Sequence, residues 1–256
     1  MSNLLIETRD RVRYVTLNRP DRHNAFDDVL IGELTGAFSA VDEVRAVVLQ
    51  STGKSFSAGG DLAWMKRMAA NSAEDNLKDA KALSGLMEAI DSCPRPVIGV
   101  VQGAAYGGGV GLVACCDLVV AAEGATFCLS EVKLGLIPAA ISPFVVRAMG
   151  GRLARRYSIT AEVFGAATAL ASGLVHEVVA PERLDEVRDG WLSRLAANSP
   201  KAMGAAKRLI RRVADDPLDG TLRDWTAAEI AGIRASDEGR EGVSAFLEKR
   251  KPSWVP

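Results

Sequence analysis

Two segments carry residue types and spacings that can do chemistry: Phe56-Ser57-Ala58-Gly59-Gly60-Asp61-Leu62 and Gly103-Ala104-Ala105-Tyr106-Gly107-Gly108-Gly109. Each reads as a strand running into a tight turn that opens a helix. A helix start leaves backbone N–H groups without internal partners and carries the positive end of the dipole. Glycine lets a ligand atom approach that backbone closely. Two such starts facing each other supply two N–H donors to one oxygen, which is an oxyanion hole. The same glycines also suit plain close packing of helix on strand, and one helix start can serve both ends. Gly107, Gly109 and Gly111 alternate, but not at the spacing of a dinucleotide fingerprint.

The elements that must hold these turns follow from periodicity. Arg13 to Asn18 alternates polar and apolar residues as a half-buried strand of an N-terminal strand pair, and Asn18-Arg19-Pro20-Asp21 breaks it. Leu30, Ile31, Leu34, Ala37, Phe38 and Val41 have helical spacing over residues 27–41. Short apolar strands are expected at 46–49, 97–101 and 118–122, with helical segments over 62–91 and a helix from the second glycine run through Cys116. Alternating strands and helices predict largely parallel sheets covered by helices. Beyond Pro181 the segments 184–197, 202–214, 221–235 and 238–250 all read as helical. The expected organisation is an α/β core over 1–180 and a helical region over 181–256, packed together because no flexible linker separates them.

Composition excludes several classes. The chain has 256 residues and a net charge of −1, so no global field draws it to nucleic acid or an anionic membrane. Pro96 to Cys116 lacks charged residues at near-transmembrane length, but it holds six glycines and Gln102, which suit a buried strand, loop and helix start better. No signal peptide is expected at the start. Cys93, Cys115, Cys116 and Cys128 lie among apolar residues, as buried reduced thiols of a cytoplasmic protein do. His23 and His176 are the two histidines, and nothing has zinc-site spacing, so no structural metal is expected.

Asn18-Arg19-Pro20 with Asn24-Ala25, the two glycine segments, Cys116-Asp117-Leu118 and Ala171-Ser172-Gly173-Leu174-Val175 together resemble the enoyl-CoA hydratase/isomerase (crotonase) superfamily over essentially the whole chain. The resemblance implies a spiral of ββα units, a C-terminal helical trimerisation region and a trimeric or hexameric homo-oligomer. It also implies an acyl-CoA substrate, with coenzyme A part of the substrate and no separate cofactor. By matching positions the oxyanion donors are the N–H groups of Gly60 and Gly108. Ala25, Ala58, Asp61, Leu62, Trp64, Tyr106 and Gly107 are implied to surround the substrate. Chemistry beside a thioester carbonyl builds charge on its oxygen, and each preorganised donor contributes roughly 3 kcal/mol to holding it.

Hydratases of this superfamily commonly use two glutamates. Glu131 matches the second, while Gly111 occupies the place of the first. Glu131 is therefore the expected acid/base, with a pKa raised by an apolar pocket. Without the resemblance, a solvated or salt-bridged carboxylate near Lys133 is the favoured description. The text from Phe127 to Val146, Asp61-Leu62-Ala63-Trp64-Met65 and Phe246-Leu247-Glu248-Lys249-Arg250 resembles the bacterial 3-methylglutaconyl-CoA hydratases of leucine degradation, and the related isohexenylglutaconyl-CoA hydratases. A lone glutamate also suits an enoyl-CoA isomerase, which moves one proton and activates no water. A binding protein without chemistry is the third possibility, which Glu131 and both glycine turns oppose. For a far carboxylate on the acyl chain, Arg67 and Arg147 are the candidate cations. Lys249, Arg250 and Lys251 form either a solvated helix end or a contact to CoA phosphates.

Overall fold

The structure is a computed structural model and describes residues 2–41 and 43–255. The strands are β1 (Leu4–Arg9), β2 (Val12–Leu17), β3 (Ala46–Ser51), β4 (Ser55–Ser57), β5 (Val97–Val101), β6 (Ala104–Tyr106), β7 (Leu118–Ala122), β8 (Thr126–Cys128), β9 (Phe164–Gly165) and β10 (Glu177–Val179). The helices are α1 (Asp28–Ser39), α2 (Leu62–Met68), α3 (Ala73–Asp91), α4 (Gly108–Ala114), α5 (Ser142–Thr160), α6 (Ala166–Ser172), α7 (Leu184–Ala196), α8 (Pro200–Asp215), α9 (Gly220–Ala235) and α10 (Asp237–Leu247).

Six strands form one sheet in the order β1-β2-β3-β5-β7-β10, parallel except for the β1–β2 hairpin. Every residue of β5 is buried, because both faces of the sheet are covered. Val47, Leu49, Val97, Val101 and Val119 face the main core with Leu34 and Phe38 of α1 and Met87 and Ile90 of α3. Their neighbours Val48, Ile98 and Val120, with Tyr14, face Leu184 and Trp191 of α7. This period-two division is what a doubly covered strand requires.

The helix α7 thus closes the second face of the sheet. The region from the end of α7 onward is tied to the α/β part by side chains. Arg45 donates to the carbonyls of Ala196, Asn198 and Trp254, and Lys207 pairs with Asp117 at 2.7 Å. In this region Ile210, Leu218, Phe246 and Leu247 remain exposed, Phe246 at 83%.

The helical expectation over 62–91 resolves into two helices, because Ser72 caps a new start by accepting the Asp75 N–H at 3.1 Å. Four short strands, β4, β6, β8 and β9, form a second sheet in that order. Two or three residues are too few to show a period, so their pairing is invisible in the sequence. Helix α5 was not anticipated either, and it is kinked where Gly150 takes φ +75°.

Candidate active site

The second sheet builds the site. β4, β6 and β8 are parallel, with Ser55 opposite Ala104 and Tyr106 opposite Cys128. Their carboxyl ends therefore lie side by side. Gly60 follows β4, Gly108 follows β6 and Glu131 follows β8, each within three residues of the strand end. Three segments far apart in the chain deliver their chemistry to one edge.

The two glycine turns touch. A Cβ on Gly59, whose φ is +83°, would lie 2.8 Å from the Tyr106 carbonyl oxygen and 3.5 Å from the Gly108 nitrogen. Only glycine permits that approach. Phe26 braces both turns. Its N–H donates to the Gly59 carbonyl at 2.8 Å and its carbonyl accepts from the Asp61 N–H at 2.9 Å. In this parallel bridge the amide of Gly60 points away from Phe26. The Phe26 ring lies under the second turn, where a Cβ on Gly108 would meet Cζ. Among the described residues, neither the Gly60 N–H nor the Gly108 N–H has a hydrogen-bond partner. Two unpaired donors thus start two helices that face each other.

A polar cluster holds the first turn in place. Asn24 is fully buried in a left-handed conformation, φ +53°. Its amide donates to the carbonyls of Thr52 and Ser55, and its oxygen accepts from the Arg19 N–H at 2.8 Å. Arg19 donates to the Ala25 carbonyl and pairs with Asp27 at 2.9 Å and Asp61 at 3.4 Å. Asp61 caps α2 by accepting from the N–H groups of Ala63 and Trp64. Burial would push the Asp61 carboxyl up, but the two backbone donors and Arg19 outweigh it and hold the group below its ordinary value.

Glu131 opens a short 3-10 turn, Glu131–Leu134. Gly107, with φ +52°, presents its bare Cα to this carboxylate: a Cβ there would sit 3.3 Å from Oε1. Glu131 Oε2 is buried without a hydrogen-bond partner. Burial raises its pKa above the ordinary carboxylate value, and no cation offsets it. A half-desolvated carboxylate beside two unpaired N–H donors can take a proton from a neutral ligand and return it.

At Gly111 the expectation of a missing carboxylate becomes a physical exclusion. A Cβ there would lie 2.3 Å from Ile141 Cγ2 and 3.1 Å from Met87 Sδ. The space is filled by the apolar side chains of Ile141 and Met87.

The remaining anticipated residues divide. The Ala58 N–H donates to the His23 carbonyl, which ties the first turn to the loop carrying Ala25. Trp64 is buried beside Gly60, its Cε3 3.5 Å from where a Gly60 Cβ would be, while Leu62 is 82% exposed. Tyr106 reaches the site through its backbone, and its hydroxyl meets Thr126 Oγ1 at 3.3 Å. His23 Nδ1 is 3.1 Å from Ser55 Oγ, and His176 Nδ1 accepts from the Val119 N–H at 3.0 Å, as a neutral structural ring does. Arg67 and Arg147 are already engaged, the first with Asp28 at 2.6 Å and the second with Asp91 and Asp215. Sequence reasoning missed Phe26 and Ile141. Phe26 lies next to the quoted Asn24-Ala25 motif, and that adjacency was the available signal.

The model of the enoyl-CoA hydratase/isomerase family matches residues 7–255. The chain belongs to that family. An enoyl-CoA hydratase from Shewanella pealeana is 45% identical, with 99% of this chain and 96% of that chain covered and a TM-score of 0.95. The Pseudomonas aeruginosa protein AtuE superposes with a TM-score of 0.95 at 38% identity over the full length of both chains. The 2,3-dehydroadipyl-CoA hydratase of Escherichia coli is 32% identical over 258 residues, 99% of each chain. The fold is the crotonase fold, and the protein is a hydro-lyase of the enoyl-CoA hydratase type acting on an acyl-CoA. No helix among the described residues is long and apolar enough to cross a membrane.

Proposed function

We propose that this hydratase adds water reversibly across the C2=C3 bond of 3-methylglutaconyl-CoA, in the breakdown of leucine. The observation that carries the mechanism is the buried, unpartnered Glu131 Oε2 at the edge shared with the two free glycine N–H groups. Glu131 takes a proton from water as the water oxygen bonds to C3. The π electrons move through C2 onto the thioester oxygen, where the Gly60 and Gly108 N–H groups hold the charge. The enolate collapses, and C2 takes the proton back from Glu131. With hydrocarbon at Gly111, one carboxylate serves both proton steps, so hydrogen and hydroxyl enter from the same face.

The substrate reading rests on the text around Glu131 and on the E. coli relative, whose acyl chain is that of a dicarboxylic acid. One observation favours a second reading. The lone proton carrier enforced by Ile141 is also what an enoyl-CoA isomerase needs to move a proton between carbons. Turnover in ¹⁸O-labelled water separates the two. A 3-hydroxyacyl product carrying label, formed from 3-methylglutaconyl-CoA far faster than from crotonyl-CoA, is the expected result. Unlabelled conversion of a 3-enoyl-CoA, without hydration, gives the isomerase.

The reading includes a trimer or hexamer, supported by exposed apolar residues, Ile210 of α8, Leu218 between α8 and α9, and Phe246 and Leu247 of α10. Sedimentation equilibrium should return a mass of three or six chains, and a single-chain mass at micromolar concentration would reject it. Four buried, unpaired thiols suit the reducing cytoplasm. Coenzyme A enters with the substrate, and the proposed chemistry calls on no further group.

A further inference from the structure

Four buried side-chain atoms lack a hydrogen-bond partner among the described residues: Arg13 Nε, Arg45 Nε, Trp64 Nε1 and Glu131 Oε2. The two guanidinium nitrogens belong to groups that bond elsewhere, through Arg13 Nη1 and through both terminal nitrogens of Arg45. The other two belong to side chains that pack at the glycine turns. Glu131 Oε2 is an acceptor on the carboxylate whose Oε1 faces Gly107. Trp64 Nε1 is a donor on the indole that packs against Gly60.

An indole nitrogen only donates, so the atom it awaits is an acceptor. Trp64 is 6% exposed, which keeps bulk water from supplying one. By contrast, Trp254 Nε1 donates to the Ala197 carbonyl at 3.2 Å. Burying a polar group unpaired is unfavourable, and native proteins rarely leave one unless a ligand or an ordered water completes it. The ring is rigidly placed for this. Its backbone N–H is held by Asp61, and its Cε3 edge abuts the turn whose amide takes the thioester oxygen. Nε1 lies on the other ring of the indole from that edge, so the acceptor it awaits is a different atom from the thioester oxygen at Gly60. The candidate cations already have partners in the structure, Arg67 in Asp28 and Arg147 in Asp91 and Asp215.

We propose that Trp64 is a specificity-determining residue whose indole N–H donates to a carboxylate oxygen at the far end of the acyl chain. This inference rests on the dicarboxylic substrate reading above, and its test is built to fail separately.

The kinetic arm compares Trp64→Phe with the native enzyme on 3-methylglutaconyl-CoA and on 3-methylcrotonyl-CoA, which differ only in the terminal carboxylate. The kcat/KM for the first should fall about 10- to 100-fold further than that for the second, the span of one hydrogen bond to a charged acceptor. The binding arm uses native protein and two unreactive saturated thioesters, 3-methylglutaryl-CoA and isovaleryl-CoA. The indole N–H band in ultraviolet resonance Raman spectra should shift with the first only. Equal losses on both substrates, as loss of packing or of a structural water would give, overturn the proposal. So does an unshifted band with bound 3-methylglutaryl-CoA. Should the native enzyme hydrate neither substrate, the substrate reading fails, while the binding arm still decides the role of Trp64.

Discussion

Replacing Glu131 by glutamine lowers kcat roughly 10²- to 10⁴-fold, the range of a positioned general acid/base, and leaves KM within a few-fold. The amide fills the same volume against Gly107, so the two N–H donors still receive the thioester oxygen. Stability moves the other way. Burial raises the Glu131 pKa in the folded protein above its unfolded value of 4.5. A raised folded pKa means the stability tied to this group is full below the unfolded value and is lost as pH rises through the folded one. At pH 7 to 8 the native protein carries a half-buried negative charge, with Oε2 lacking a partner, that the variant lacks. The variant therefore melts at or above the native temperature there, and the gap closes below about pH 4.5. In the native enzyme the base must be ionised, so kcat/KM falls as pH drops through a value above 4.5. A Glu131→Gln enzyme with full activity would remove this residue from the mechanism.

Introducing a second carboxylate by Gly111→Glu abolishes native folding instead of adding a catalyst. The Cβ alone would overlap Ile141 Cγ2 at 2.3 Å and press on Met87 Sδ at 3.1 Å, inside a helix whose residues 109–113 are all buried. Gly111→Ala isolates the steric part. Overpacking of this kind costs about 1–3 kcal/mol, while alanine regains about 1 kcal/mol in helix propensity. At 2.3 Å from the Ile141 Cγ2 methyl and 2.8 Å from its Cβ the overlap wins, and the melting temperature drops by roughly 2–4 °C for each kcal/mol lost. Ile141→Ala restores part of that loss when combined with Gly111→Ala, a coupling that a double-mutant cycle measures. The glutamate variant adds an unpaired buried charge to the overlap, and thermal melts with soluble yield check it. A stable Gly111→Glu protein with raised turnover would show that the site opens for two-carboxylate hydration.

These two positions also mark the boundary between what sequence and tertiary structure determine. The sequence by itself determined the central strands. Val97–Val101 and Leu118–Ala122 match the expectation residue for residue, because short continuous apolar runs rich in β-branched residues suit a strand covered on both faces. It determined the helices beyond Pro181 within a few residues, from apolar spacing and prolines at their starts. It singled out the two glycine turns, because strand, glycine and helix start are local patterns.

Tertiary structure alone decided how those turns meet. The three-residue strands β4, β6 and β8 are too short to carry a period, yet their parallel pairing brings Gly60, Gly108 and Glu131 to one edge. Phe26 beneath Gly108, Ile141 in the place of a second glutamate and the unpartnered Trp64 N–H are contacts between segments distant in sequence. Arg67 and Arg147, singled out by position, are paired in the structure with Asp28 and with Asp91 and Asp215. Periodicity records which face of an element is buried. It does not record which atom of another element fills the space opposite, and packing at interior density turns that one neighbour into the difference between one carboxylate and two.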